Sequence, residues 1–252
     1  MTDDASRDET DATARDRDTE PETPPQPQPA RHGFWWRVRE YTMVVAIAIA
    51  LSFLVKTFLV QPFWIPSGSM EQTLITGDRI VVNKLPGSND DLQRGDIVVF
   101  EDPNGWLPPV PESEGVGGAA KRALQFVGLY PAGEQHLVKR VIGVGGDHVV
   151  CCDDRGRITV NGAAIDETYL SPGVQPSAVP FDVRVPDGRL WVMGDNRSNS
   201  EDSRAHDGRS GGTEGSVPTS VVTGKVWAVV WPIGRFGTPP DGRAVFSQVP
   251  SR

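Results

Sequence analysis

Three polar clusters in this chain carry the residue types of an acyl-transfer site. The first is Ile65-Pro66-Ser67-Gly68-Ser69-Met70-Glu71-Gln72-Thr73-Leu74, two serines flanking a glycine between apolar residues. A serine hydroxyl attacks a carbonyl only when a neighbouring base removes its proton. Taken alone, Ser-Gly-Ser is also ordinary loop chemistry, and it lacks the G-x-S-x-G elbow of α/β-hydrolases. The apolar Ile65, Met70 and Leu74 point to a shaped, half-buried turn rather than a linker.

The base has two candidate types. Four histidines occur, His32, His136, His148 and His206, and none has an evident Asp partner pattern. A lysine serves as base only if burial lowers its pKa from near 10.4, so a useful lysine belongs inside an apolar run. Of the five lysines, Lys56, Lys84, Lys121, Lys139 and Lys225, only Lys139 lies in the middle of one, Leu137-Val138-Lys139-Arg140-Val141-Ile142-Gly143-Val144. Strand alternation sets Lys139, Val141 and Gly143 on one face and Val138, Arg140 and Ile142 on the other. On the residues alone, a histidine base and a solvent-facing Lys139 both stay open. The S-x-x-K pattern of penicillin-binding enzymes is absent.

The third cluster is Met193-Gly194-Asp195-Asn196-Arg197-Ser198-Asn199-Ser200-Glu201-Asp202-Ser203-Arg204, directly after an apolar run. Short polar side chains fix backbone through local hydrogen bonds, so this is a turn or the scaffold of a site. Asp202 and Arg204 are spaced to pair.

These clusters need elements to hold them. A chain of 252 residues makes one or two domains with a sizeable core. Its 27 Gly and 22 Pro favour a loop-rich, mainly β body. Short β-like runs fall at 79–83, 96–100, 136–144, 148–152, 157–160, 189–193 and 223–231, punctuated by Gly, Asp and Pro. The stretch 155–162 reads as half of a small hairpin, 119–129 as one short helix, and 102–118 and 167–188 as long loops. The adjacent Cys151 and Cys152 read as two small residues at a strand, because neighbouring Cα atoms about 3.8 Å apart disfavour a mutual bridge. No metal site is indicated.

Net charge is −8, of which −6 sits in residues 1–30 (nine acidic, three basic). That acidic, Pro-rich tail is expected to be disordered, and the near-neutral remainder argues against a nucleic-acid partner. From Tyr41 to Val60, 20 residues carry one charge, Lys56. That length crosses a hydrocarbon core of about 30 Å, with Trp35, Trp36, Phe63 and Trp64 as interfacial aromatics. A buried core helix or a cleaved leader are the rivals, but the A-x-A sequences lie inside the apolar run rather than after it. Arg31, Arg37 and Arg39 before the run place the N-terminus in the cytoplasm and the body outside. The expected organisation is a tail over 1–33, an anchor over 34–62, and an antiparallel β-rich extracytoplasmic domain over 63–252 with an insert at about 145–188.

In this order, after one anchor, the blocks PSGSMEQTL, GDRIVVNK, HLVKRVIGVGGD and MGDNRSNSEDSR resemble bacterial type I signal peptidases, of an actinobacterial or other Gram-positive kind. The resemblance covers about 41–231. It implies a Ser-Lys serine endopeptidase that removes signal peptides with small residues before the cut from secretory preproteins, without a cofactor. It assigns Ser69 as nucleophile, Lys139 as neutral general base, Ser67 and the Ser69 N–H as oxyanion donors, and Ser200 as the serine orienting the lysine amine. Gly194, Asp195 and Asn196 match a supporting turn, and Asp202 and Arg204 a structural ion pair. The sequence departs from the family's usual pattern after Arg204, where Ala205-His206-Asp207-Gly208 opens a Gly-rich run. Ser69 lies nine residues past Val60, at most about 30 Å along an extended chain, which suits a bilayer-bound substrate whose chain adds as a strand. The alternatives are a self-cleaving Ser-Lys repressor-type protease and an anchored, non-enzymatic envelope β domain.

Overall fold

A computed structural model describes residues 34–58, 60–84, 91–103, 105–108 and 135–250, with the side chains of 34, 53–58 and 60 outside that description. The expected tail 1–33, the helix expected at 119–129 and most of the 102–118 loop lie outside the described residues.

The chain divides into two compact units, 1–45 and 46–252. Helix α1, Phe34–Phe58, contains the boundary. In the first unit its residues from Trp35 are exposed, including Trp35 and Tyr41. Among the described residues no helix is long and apolar enough to cross a membrane. Part of the apolar run expected to do so, 53–60, has no described side chains.

The second unit is built of antiparallel sheets. Strands β1 (Val60–Trp64), β2 (Arg79–Asn83), β3 (Ile97–Glu101), β4 (His136–Val144), β5 (His148–Cys151), β6 (Ile158–Val160), β7 (Ala163–Ala164), β8 (Phe181–Arg184), β9 (Arg189–Met193), β10 (Val217–Pro218) and β11 (Val222–Trp231) follow the chain, with a short helix α2 (Ser203–His206) between β9 and β10. Seven form one sheet in the order β1-β2-β11-β3-β4-β9-β10, and four a smaller one, β7-β6-β5-β8.

Position in the sheet explains composition. β4 from Lys139 to Gly143 and β9 from Leu190 to Met193 lie inside the sheet and are buried throughout, and β9 reads as a continuous apolar run there. β1 is an edge, which tolerates Pro62 because no ladder hydrogen bond is needed from its missing N–H. The turn Asn161-Gly162 joins β6 and β7 with both φ positive, as a two-residue hairpin requires.

Four expectations need correction. The anchor drawn to 62 stops earlier, since β1 begins at Val60 and pairs with β2 through Trp64. Phe63 is not interfacial but core, 2% exposed among Ile65, Met70 and Leu74. The loop over 167–188 contains β8, which pairs with β5, so the insert at 145–188 is the smaller sheet itself. Finally, Cys151 and Cys152 are joined in a disulfide with a Cα–Cα distance of 3.0 Å. The peptide between them is cis, and the spacing that disfavoured a mutual bridge assumed a trans one.

Candidate active site

The serine cluster forms a compact turn between β1 and β2. Ile65 N–H donates to the Asp78 carbonyl and Gly77 N–H to the Ile65 carbonyl, which closes the turn's neck. A single 3-10 turn, Gly68–Met70, follows extended Ser67. Met70 and Leu74 are 1% and 0% exposed in the core beneath it. Burial of two large apolar side chains, at about 1.5–3 kcal/mol each, holds the turn down while Ser67 and Ser69 stay on its open side.

Lys139 reaches Ser69 from β4. Its Nζ donates to Ser69 Oγ at 2.9 Å and to the Val138 carbonyl at 3.2 Å. Ser67 Oγ lies 3.5 Å from Ser69 Oγ. Lys139 is 2% exposed. Burial lowers its pKa from 10.5 to about 8; the Asp202 carboxylate opposes the shift, the Arg204 cation adds to it, and Asp195 opposes it. Such an amine is roughly a tenth neutral at pH 7, against a negligible fraction for an exposed lysine.

The third cluster forms the site's back wall. Gly194 follows β9 with no room for a side chain: a Cβ there would lie 2.6 Å from Ser200 Cβ and 2.5 Å from the Ser69 carbonyl oxygen. Asp202 accepts from Gly194 N–H at 2.9 Å, from Ser200 Oγ at 2.8 Å, and from both Arg204 Nε and Nη2 at 2.8 Å. Burial would raise the Asp202 carboxyl, but the hydrogen bonds from Arg204, its charge, and those from Gly194 and Ser200 outweigh it and hold the group below the usual carboxylate range. Asn196 N–H donates to the Ser69 carbonyl and Asn196 Nδ2 to the Gly68 carbonyl, each at 3.0 Å. Thus Ser67, Ser69, Lys139, Gly194, Asn196, Ser200, Asp202 and Arg204 are brought into one network, in which the Ser200 hydroxyl is engaged with Asp202.

Asp195 points the other way, into the core. Its carboxylate takes Arg140 Nε at 2.9 Å, Arg140 Nη2 at 2.7 Å and Thr73 Oγ1. Both members of the ion pair have fully buried side chains. The Arg140 guanidinium also donates to the Gly95 carbonyl at 2.8 Å, lies over the Tyr169 ring at 4.1 Å, and is covered by Gly242, where a Cβ would fall 3.1 Å from Arg140 Cζ. Arg197, also buried, pairs with Glu167 and donates to the Gly194 carbonyl at 3.0 Å. Arg140, Thr73, Arg197 and Glu167 were not singled out from the sequence. Arg140 had a visible signal, since an arginine inside an apolar strand must meet a carboxylate.

The histidines are elsewhere. His136 packs against Phe63 with ring centroids 5.0 Å apart, and burial holds its pKa below the ordinary value, with Glu101 opposing and Lys84 adding. His148 meets Asp182 on the smaller sheet, and His206 stacks on Trp106. The hydroxyl of Ser69 bonds to Lys139 and Ser67, not to any of them. His32 lies outside the described residues.

An open edge runs up to Lys139. β3 pairs with β4 over His136–Arg140, whereas β9 pairs with it only from Arg140 onward. Among the described residues no strand occupies the second edge of His136–Lys139, which ends at the candidate base.

A family model described as signal peptidase, peptidase S26, matches residues 38–231. The chain is 40% identical over 231 residues to signal peptidase I of Mycobacterium tuberculosis (strain H37Rv), covering 82% of this chain and 78% of the relative. It is 41% identical over 225 residues to the probable signal peptidase I of Mycobacterium leprae, covering 79% and 78%. It is 34% identical over 173 residues to signal peptidase I T of Bacillus subtilis, covering 66% and 74%.

Proposed function

The chain belongs to the signal peptidases of family S26, serine endopeptidases that cleave signal peptides, and we propose that its own hydrolysis runs on Ser69 as nucleophile and Lys139 as general base. The observation that carries this reading is the 2.9 Å contact between Lys139 Nζ and Ser69 Oγ, made by a lysine that burial has brought to about pKa 8.

Neutral Lys139 takes the Ser69 proton as Oγ attacks the scissile carbonyl. The Ser69 N–H and the Ser67 hydroxyl meet the developing oxyanion, contributions of about 2.7–4 kcal/mol for a well-placed donor. The Lys139 ammonium returns its proton to the leaving amine, which departs as the new N-terminus of the mature protein. The signal peptide remains as an ester on Ser69. Water, deprotonated by Lys139, then releases it as a carboxylate. Ser200, whose proton is committed to Asp202, keeps its lone pairs for the lysine ammonium and so orients it.

The substrate adds as a strand along the open edge of His136–Lys139, which would supply its main chain with hydrogen bonds and lead its carbonyl to Ser69. This residue-by-residue assignment needs no organic or metal cofactor.

We place α1 in the bilayer as a single span, with Arg31, Arg37 and Arg39 on the cytoplasmic side and the β body outside. Two observations support a lipid neighbour. Val44, Val45, Ile47, Ile49 and Leu51 are all 56–64% exposed along α1. On the β body, Trp64 and Trp231 flank Arg79 in register, and Ile233 and Phe236 just beyond are more than 70% exposed. Aromatic side chains of this kind favour the interfacial layer.

The experiment is cleavage of a preprotein by the detergent-solubilised protein, wild type against Ser69→Ala and Lys139→Ala, with the cut read by mass spectrometry. Cutting after an A-x-A-like site by wild type alone is expected. Full activity in Lys139→Ala would remove lysine as base, and an inactive but folded wild type would favour the non-enzymatic anchored β domain.

A further inference from the structure

We propose that Asn196 is a positioning residue for oxyanion stabilisation: it aims the Ser69 N–H by holding the carbonyl on the other side of the same peptide bond. The inference rests on the Ser69 reading above and deepens it.

The Gly68 carbonyl and the Ser69 N–H belong to one planar, trans peptide unit and point in opposite directions. Fixing one fixes the other. Two donors converge on the Gly68 oxygen, the Glu71 N–H from within the turn at 3.0 Å and Asn196 Nδ2 from the facing loop at 3.0 Å. The Asn196 main-chain N–H simultaneously takes the Ser69 carbonyl at 3.0 Å. One residue therefore grips the planes on both sides of the nucleophile.

The amide itself is held from both ends. Its nitrogen faces two acceptors, Gly68 O and Glu71 Oε2, the latter at 3.5 Å. Its oxygen receives the Ser198 hydroxyl at 3.4 Å. An amide with an acceptor pair on one side and a donor on the other has a defined orientation. The loop carrying it is anchored independently, through Asp195 to Arg140 and through Asp202 to Gly194. Asn196 is absent from the groups that shift Lys139, so its loss should leave the base alone and weaken only the oxyanion contact.

The test is steady-state cleavage of a signal-peptide substrate by the full-length, detergent-solubilised protein, comparing wild type, Asn196→Ala and Asn196→Asp. Rates are normalised to the folded fraction by thermal melting and measured across pH 6–10. Asn196→Asp keeps the side chain's shape while removing the donor to Gly68. A drop in kcat of roughly 10- to 100-fold is expected in both, less than the roughly 100- to 1000-fold lost when a donor is deleted. KM should stay at its wild-type value in both, and the pH midpoint should stay in Asn196→Ala, whereas the new carboxylate of Asn196→Asp favours the Lys139 ammonium and raises the midpoint. Wild-type kcat in either variant would overturn the proposal. So would a loss that appeared as a raised KM, or as a moved pH midpoint in Asn196→Ala. Ser69→Ala runs alongside: if it still cuts, the serine reading has failed; if it is inactive while Asn196→Ala cuts normally, only the positioning role falls.

Discussion

The Gly194 Cα and the Ser69 carbonyl are so close that a methyl group on the glycine would overlap the oxygen, at 2.5 Å from it. At this point the back wall and the serine turn thus meet main chain to main chain. Gly194→Ala should push the turn away from Lys139. Overpacking of this kind costs about 1–3 kcal/mol, visible as a lower Tm, and cleavage should fall by roughly 100-fold or more, since a displacement near 1 Å is enough for that.

Activity should climb with pH through the titration of Lys139, with a midpoint near 8 in kcat/KM. Asp202 opposes the lowering of the lysine, so Asp202→Asn, which keeps the shape and leaves the Arg204 cation in place, should move that midpoint to lower pH. A pH-rate profile of the two proteins checks the sign; a move upward would mean that the Asp202 charge is not felt at the amine.

The same burial makes Lys139 a cost to the fold. Its pKa is about 8 when folded and near 10.5 when exposed in the unfolded chain, so the unfolded state holds more protons between those values and stability rises with pH across that window. Below pH 8 the full cost applies, about 3 kcal/mol. Lys139→Met should be inactive yet, at pH 7, about 2 kcal/mol more stable once the lost Ser69 bond is counted. Denaturant unfolding at pH 7 and pH 11 measures it, and the gain should vanish at the higher pH.

Arg140 and Asp195 join β4 to the loop behind the nucleophile with both charges out of water. Asp195→Ala strands the guanidinium and should cost about 3–5 kcal/mol. Arg140→Met combined with Asp195→Ala removes both charges and should recover most of that loss. A double-mutant cycle by chemical denaturation gives the coupling.

Much of this was legible in the residues. The runs at 79–83, 136–144 and 189–193 coincide with β2, β4 and β9, because central strands with apolar faces leave a direct pattern. Lys139 stood out because a lysine in the middle of such a run needs a reason, and the structure brings it to Ser69. β8 was missed because Phe181–Arg184 sits among Pro and Gly and is only partly buried. Glu167 and Tyr169 carried no local signal at all: their partners, Arg197 and Arg140, lie about 30 residues away in sequence on other elements. The cysteine bridge escaped because spacing arguments assume an ordinary peptide between neighbours.

The dyad closes over 70 residues of chain, the Asn196 clamp over 128, and Gly242 comes later still to cover Arg140. Loops of that length close slowly, and contacts of such separation form late in folding. On the Ser69–Lys139 reading, hydrolytic competence therefore depends on contacts drawn from almost the whole length of the β body.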